Sequence, residues 1–178
     1  MREFLPKVVK DGQDPEARTQ MMLATIYAGM GFANAGVHLP HALGYPIAGN
    51  VRGFHPRDYP QKKALVPHGM STALGAPASF QFTANAKPER HKRIAEWMGV
   101  ETRGSSADSA GNGLRDAFIN FMQSIGLPNG LQAVGYNAND IPALTEGTLK
   151  QKRLIGLSPQ PVTRDAVEKI LEKSLVVW

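Results

Sequence analysis

Cysteine is missing altogether from these 178 residues. That excludes disulfides and thiolate-bound metals, so any metal ion would have to sit on histidine nitrogen or carboxylate oxygen, and it points to the cytoplasm. No apolar run approaches the roughly 18 residues that a membrane span needs. The opening Met1-Arg2-Glu3-Phe4-Leu5-Pro6 lacks a basic stretch leading into an apolar segment and a cleavage site, so neither a span nor an export signal is expected. A strong charge of one sign is missing too. The formal net charge is +5, but the basic residues are scattered from Arg2 to Lys173, with only short clusters such as Arg90-His91-Lys92-Arg93 and Lys150-Gln151-Lys152-Arg153. These read as solvated helix faces, and no nucleic-acid partner is expected.

What is present describes one globular domain spanning residues 1–178. The chain is 42% apolar and 20% charged, which is ordinary for a folded protein with a real core. Asp14-Pro15-Glu16-Ala17 combines a capping acid, a proline suited to the first helical turn and an early carboxylate, so a helix should start there and carry Met21, Met22 and Ala28. It runs into the small-residue stretch Gly29 to Gly36, where another backbone or a ligand could approach closely. Pro46 to Pro67 reads as an exposed loop that includes Arg57-Asp58 and Gln61-Lys62-Lys63. Helices are expected over about 68–86, over 89–98, around Leu114, Phe118, Phe121 and Ile125 until Gly126, after Asp140-Ile141-Pro142, and after Thr163, with a turn at Ser158–Pro161. Alternation with period two is scarce, which predicts an all-α helical bundle.

Five histidines offer metal-binding nitrogen: His38, His41, His55, His68 and His91. His38 and His41 are three apart and share a face if helical, among small and apolar neighbours that would limit solvation of an ion. His68 follows a proline at a helix start. On spacing alone, polar or capping roles are the better reading, since the 27 residues from His41 to His68 match no ligand pattern.

The segment Ala28–Gly49, with its Gly36-Val37-His38-Leu39-Pro40-His41, followed by Leu65-Val66-Pro67-His68-Gly69-Met70-Ser71, resembles the signature stretch of the iron-containing alcohol dehydrogenase family. Phe80–Ala84 with Glu89-Arg90-His91, Ala133–Leu144 and Leu157–Val162 resemble its hydroxyacid-oxoacid transhydrogenase branch. The likeness extends along nearly the whole chain and implies the helical C-terminal domain of such an enzyme. It also implies one iron or zinc ion held by an aspartate and three histidines, two of which correspond to His41 and His68. The ion would act as a Lewis acid on a small hydroxyacid or alcohol while NAD exchanges hydride. Many relatives have a further histidine where this chain has Tyr45. Its phenol could serve a proton or hydrogen-bond relay, or pack beside the site. His38 has no ligand counterpart in the resemblance.

The family's remaining ligands come from an aspartate four residues before a histidine. Here the residues four before each histidine are Asn34, Val37, Val51, Ala64 and Lys87, so that motif is absent. The Gly-Gly-Gly-Ser phosphate loop is absent as well, because no two glycines are consecutive. No cofactor-binding residues are assigned. Two readings follow. In the first, this is the metal-binding part of an oxidoreductase, inactive alone and completed by a nucleotide-binding half or another subunit, with self-association as a further expected outcome. In the second, it is a truncated helical interaction module that keeps the fold without catalysis.

Overall fold

A computed structural model describes residues 1–57, 59–60 and 62–178, with only the backbone of Ala107; Asp58 and Gln61, named above within the loop, lie outside the described residues. Among the described residues ten α-helices follow one another: α1 (Phe4–Lys10), α2 (Pro15–Ala35), α3 (Leu39–Gly49), α4 (His68–Leu74), α5 (Ala76–Thr83), α6 (Pro88–Trp97), α7 (Ala107–Ser124), α8 (Ile141–Leu149), α9 (Lys152–Ile155) and α10 (Arg164–Lys173). No strand occurs among the described residues, so the fold is all-α as expected.

The start signals work as their chemistry predicts. The Asp14 carboxylate accepts from the Ala17 amide at 3.0 Å and Pro15 opens α2. The Thr163 hydroxyl accepts from the Ala166 amide at 3.2 Å at the head of α10. Each cap satisfies an amide that the helix itself cannot.

Two prolines act differently from the sequence expectation. The helix expected over about 68–86 is split into α4 and α5 at Gly75, because Pro77 has no amide to offer the Ala73 carbonyl. The lack of a side chain at Gly75 also matters, since a Cβ there would lie 2.8 Å from the Leu43 Cδ1 of α3. Irregular chain was expected from Pro46 onward, yet α3 continues through it to Gly49. Pro46 is buried against α8, where a Cβ on Gly147 would come within 2.5 Å of the proline Cβ. Close packing there offsets the donor that Pro46 denies to Ala42. The short helices α1 and α9 were not anticipated.

The core is built around α3. Leu39, Leu43 and Ile47 are fully buried among Leu74, Met122, Leu131, Leu144 and Leu171 from four other helices and a turn. α4, α5, α8 and α9 all pack on α3. The last turn of α3 leaves carbonyls without helical donors, and the buried Tyr136 hydroxyl donates to that of Ile47 at 2.5 Å. Arg52, just beyond α3, forms an ion pair with Asp140, whose carboxylate also accepts from the Asn137 amide at 2.9 Å.

α2 has a different setting. Of its 21 residues only Ala17 is buried, and its main packing partner is the short α1.

Candidate functional site

His38 and His41 do not share a helical face as pictured from their spacing. His38 is the residue before α3, with non-helical backbone, and its carbonyl accepts from the His41 and Ala42 amides at 3.0 and 3.1 Å. His41 therefore lies in the first turn of α3, while His68 begins α4 after Pro67. The intervening loop brings α4 back to α3. The Leu65 amide donates to the Phe54 carbonyl at 2.9 Å, and Val66 is buried. Glycine sharpens the approach, because a Cβ on Gly44 would meet the Thr72 methyl at 2.9 Å.

The outcome is that the imidazole rings of His41 and His68 stand 5.3 Å apart, centre to centre, at an interplanar angle of 58°. His41 is half-buried and His68 exposed. Burial, and secondarily His68, push the His41 imidazole below the ordinary histidine range. A neutral ring at pH 7 keeps a lone pair available for a metal. Two imidazoles bound to one tetrahedral ion at about 2.1 Å have ring centres on the order of 5 Å apart, so this spacing fits a shared ion. Among the described residues no third histidine or carboxylate completes a cluster of three. The donor set present thus fits part of a metal site.

Tyr45 lies one turn after His41 on α3, 52% exposed. His55 is exposed in the loop. His91 is buried: its Nδ1 lies 2.8 Å from the Lys87 carbonyl and its Nε2 2.9 Å from the Thr83 hydroxyl, so it ties α6 to the end of α5. Nothing in the charged run around it signals that role. His38 lines an apolar cavity of about 600 Å³ together with His41, Thr72, Phe80, Phe118 and Met122. Its Nδ1 is buried with no hydrogen-bond partner among the described residues. Burial first, then His91 and His41, hold its pKa below the ordinary value. No sequence signal points to this cavity, because its walls come from α1, α4, α5 and α7 as well as from α3 and the segment before it.

Residues 1–175 match the model of the Fe-containing alcohol dehydrogenase family, C-terminal. The chain belongs to the iron-containing alcohol dehydrogenase family and corresponds to its C-terminal region. Among curated relatives, the mitochondrial hydroxyacid-oxoacid transhydrogenase of Pongo abelii is 43% identical over 176 residues, 99% of this chain but 38% of the relative. The probable mitochondrial hydroxyacid-oxoacid transhydrogenase of Dictyostelium discoideum is 42% identical, over 97% of this chain and 32% of its own length. Among solved structures, the alcohol dehydrogenase from Oenococcus oeni superposes with a TM-score of 0.84 at 27% identity, covering 97% of this chain and 42% of the other. A 1,3-propanediol oxidoreductase gives 0.83 at 26%, with the same coverage. The chain therefore spans well under half the length of the relatives it matches. No described helix is long and apolar enough to cross a membrane.

Proposed function

We propose that this chain supplies the metal-binding helical region of an iron-dependent alcohol dehydrogenase or hydroxyacid-oxoacid transhydrogenase. His41 and His68 would hold an iron or zinc ion together with donors from outside the chain. The observation that carries the reading is the 5.3 Å separation of the two rings, brought together from positions 27 residues apart. When bound, the ion supplies Lewis-acid polarisation of a substrate oxygen. The chain's own part is to present two imidazoles from adjacent helix starts, with burial of His41 favouring its neutral, metal-binding form. Tyr45, one turn from His41, is proposed as a proton or hydrogen-bond relay. NAD would be held by polypeptide beyond this chain, since no phosphate loop is encoded in it.

The test joins this chain to the remaining polypeptide of a curated relative, loads iron or zinc, and assays NAD-dependent alcohol oxidation or exchange between 4-hydroxybutyrate and 2-oxoglutarate. We expect turnover that is abolished in His41→Ala and His68→Ala, and none from the isolated chain. Positioning of cofactor against substrate accounts for about 7–11 kcal/mol of such barriers, and the isolated chain cannot provide it. Turnover by the isolated chain that disappears in His41→Ala would overturn the view that it needs completion. Tyr45→Phe should lower kcat on the order of 10²-fold with metal content unchanged. An unchanged kcat would return Tyr45 to a packing role. For location, the sequence reading is the cytoplasm and the relatives' names give the mitochondrion. Fractionation of cells producing the tagged chain separates the two.

The second reading, an interaction module without catalysis, has no observation of its own in its favour.

A further inference from the structure

Trp97 is 64% exposed at the end of α6, although indoles are among the side chains that gain most from burial. Its helix is held from the opposite side, where His91 and Ala95 are buried and α6 packs on α7. At about 100° per residue, Arg93, Trp97, Arg90 and Ile94 succeed one another in that order over about 100° of the outer circumference. Cations thus alternate with apolar groups. The Arg93 guanidinium lies 5.1 Å from the centre of the Trp97 ring, and Ile94 is 40% exposed. Lys87, the residue before α6, is exposed as well.

No described carboxylate pairs with Lys87, Arg90 or Arg93. The two acids of α6 are engaged elsewhere: Glu89 pairs with Lys92 at 3.3 Å, and Glu96 accepts from the hydroxyl of buried Thr102 at 2.5 Å. Beyond Arg93 lies a hollow whose walls carry Glu89, Glu96 and Glu101 beside Lys92, Arg93 and Arg103. Charge is balanced there, and the basic strip ends at that edge. A merely solvated face accounts for the arginines but leaves Trp97 and Ile94 unexplained.

We infer that the outer face of α6 docks this chain on an anionic lipid surface, with Trp97 and Ile94 at headgroup depth and Lys87, Arg90 and Arg93 on the headgroup anions. An indole, apolar with one polar N–H, is suited to the membrane interface, and each cation close to an anionic bilayer strengthens partitioning by about fivefold. The contact is peripheral and reversible, since neither an inserted helix nor a lipid chain is involved. Shape and charge select this occupant. A peptide ligand needs a groove or a sheet edge, and these side chains stand on a convex helix that offers neither. A second copy in two-fold contact would set Arg90 and Arg93 against their own counterparts. Neither His41 nor His68 takes part, so this surface stands or falls separately from the proposed function.

The experiment incubates the 178-residue chain with vesicles of phosphatidylcholine alone or with about one third phosphatidylserine, and reads co-sedimentation and indole fluorescence. Trp178→Phe serves as the parent, so that Trp97 is the sole indole. We expect at least tenfold stronger partitioning onto the anionic vesicles, a blue shift of Trp97 on binding, and weakening by salt. Arg90→Glu with Arg93→Glu should lower partitioning at least tenfold. Lys152→Glu with Arg153→Glu, which alters net charge equally at another exposed basic cluster, should leave it nearly unchanged. Trp97→Ala should weaken it about threefold or more, with helix content unchanged in every variant. Equal losses from the two double substitutions would show diffuse attraction by net charge and overturn the inference. Failure of the parent to bind, equal binding to neutral vesicles, or binding without a Trp97 shift overturns it as well. Capture of polyglutamate but not of anionic vesicles would assign the strip to an acidic polypeptide, again against the inference.

Discussion

α2 and α3 are consecutive helices separated by three residues, both rich in apolar and small side chains, and their surroundings are opposite. α3 buries Leu39, Ala42, Leu43, Gly44, Pro46 and Ile47 beneath four other helices, whereas α2 buries Ala17 alone. Apolar content therefore does not say where this domain keeps its own core. What separates the two is the match of small residues across contacts: Gly75 against Leu43, Gly147 against Pro46, Gly44 against Thr72. On α2, Gly31 has nothing within 4 Å of where its Cβ would be. Gly44, Gly75 and Gly147 serve close contacts inside this chain, whereas nothing in it approaches Gly31.

The largest expected effect follows directly. Leu43→Ala removes a fully buried side chain that fills the break between α4 and α5, and should cost about 2–5 kcal/mol in denaturant unfolding. Ile26→Ala, a truncation of comparable size on α2, should cost less than about 0.5 kcal/mol in the chain alone. Similar losses at both positions would show that α2 is already part of the cooperative core, and the contrast between the helices would be lost.

A smaller effect sharpens the α3 side. Tyr136→Phe leaves the Ile47 carbonyl without its donor and should cost about 1–2 kcal/mol. The same group predicts a pH dependence. Burial raises the Tyr136 phenol from 10.0 to about 12. Below pH 10 the group is neutral in both folded and unfolded chains and contributes no slope. Between pH 10 and about 12 the unfolded chain loses the proton and the folded chain keeps it, so stability falls as pH rises. Unfolding measured across that window should show a shallower decline in Tyr136→Phe than in the parent. An identical decline would mean that the phenol ionises as readily in the folded chain.

Helix starts with caps were legible, as at Asp14-Pro15 and Thr163, because the cap and the amide it serves are neighbours in sequence. The break at Gly75-Ala76-Pro77 and the survival of helix through Pro46 were not, because both depend on what lies across the contact, Leu43 in one case and Gly147 in the other. α1 was missed for want of any cap, and Glu3 indeed makes no side-chain capping bond. The site was legible only through resemblance. His41 and His68 carry no ligand spacing, and their approach depends on a loop closed by Leu65 and Phe54. The burial of His91 was hidden by Arg90, Lys92 and Arg93 around it, since the hydrogen bonds to Lys87 and Thr83 are made on the one side of α6 that faces inward.

The smallest expected effect separates the two regions most cleanly, because it applies one chemistry to both. Asp14 caps α2 and Thr163 caps α10, each accepting one backbone amide. Replacing either by alanine removes a bond of similar strength, roughly 1 kcal/mol. α10 buries Val167, Ile170 and Leu171 in the core, so it cannot loosen without the whole domain responding. Thr163→Ala should therefore lower global stability by about that amount. α2 is held by little besides α1 and its own hydrogen bonds, so it can fray locally while the rest stays folded. Asp14→Ala should leave the global unfolding midpoint nearly unchanged and speed deuterium exchange in the α2 amides by roughly fivefold, the rate equivalent of about 1 kcal/mol. If instead Asp14→Ala shifts the midpoint as much as Thr163→Ala does, α2 is cooperative with the core, and the contrast between α2 and the core helices does not extend to stability.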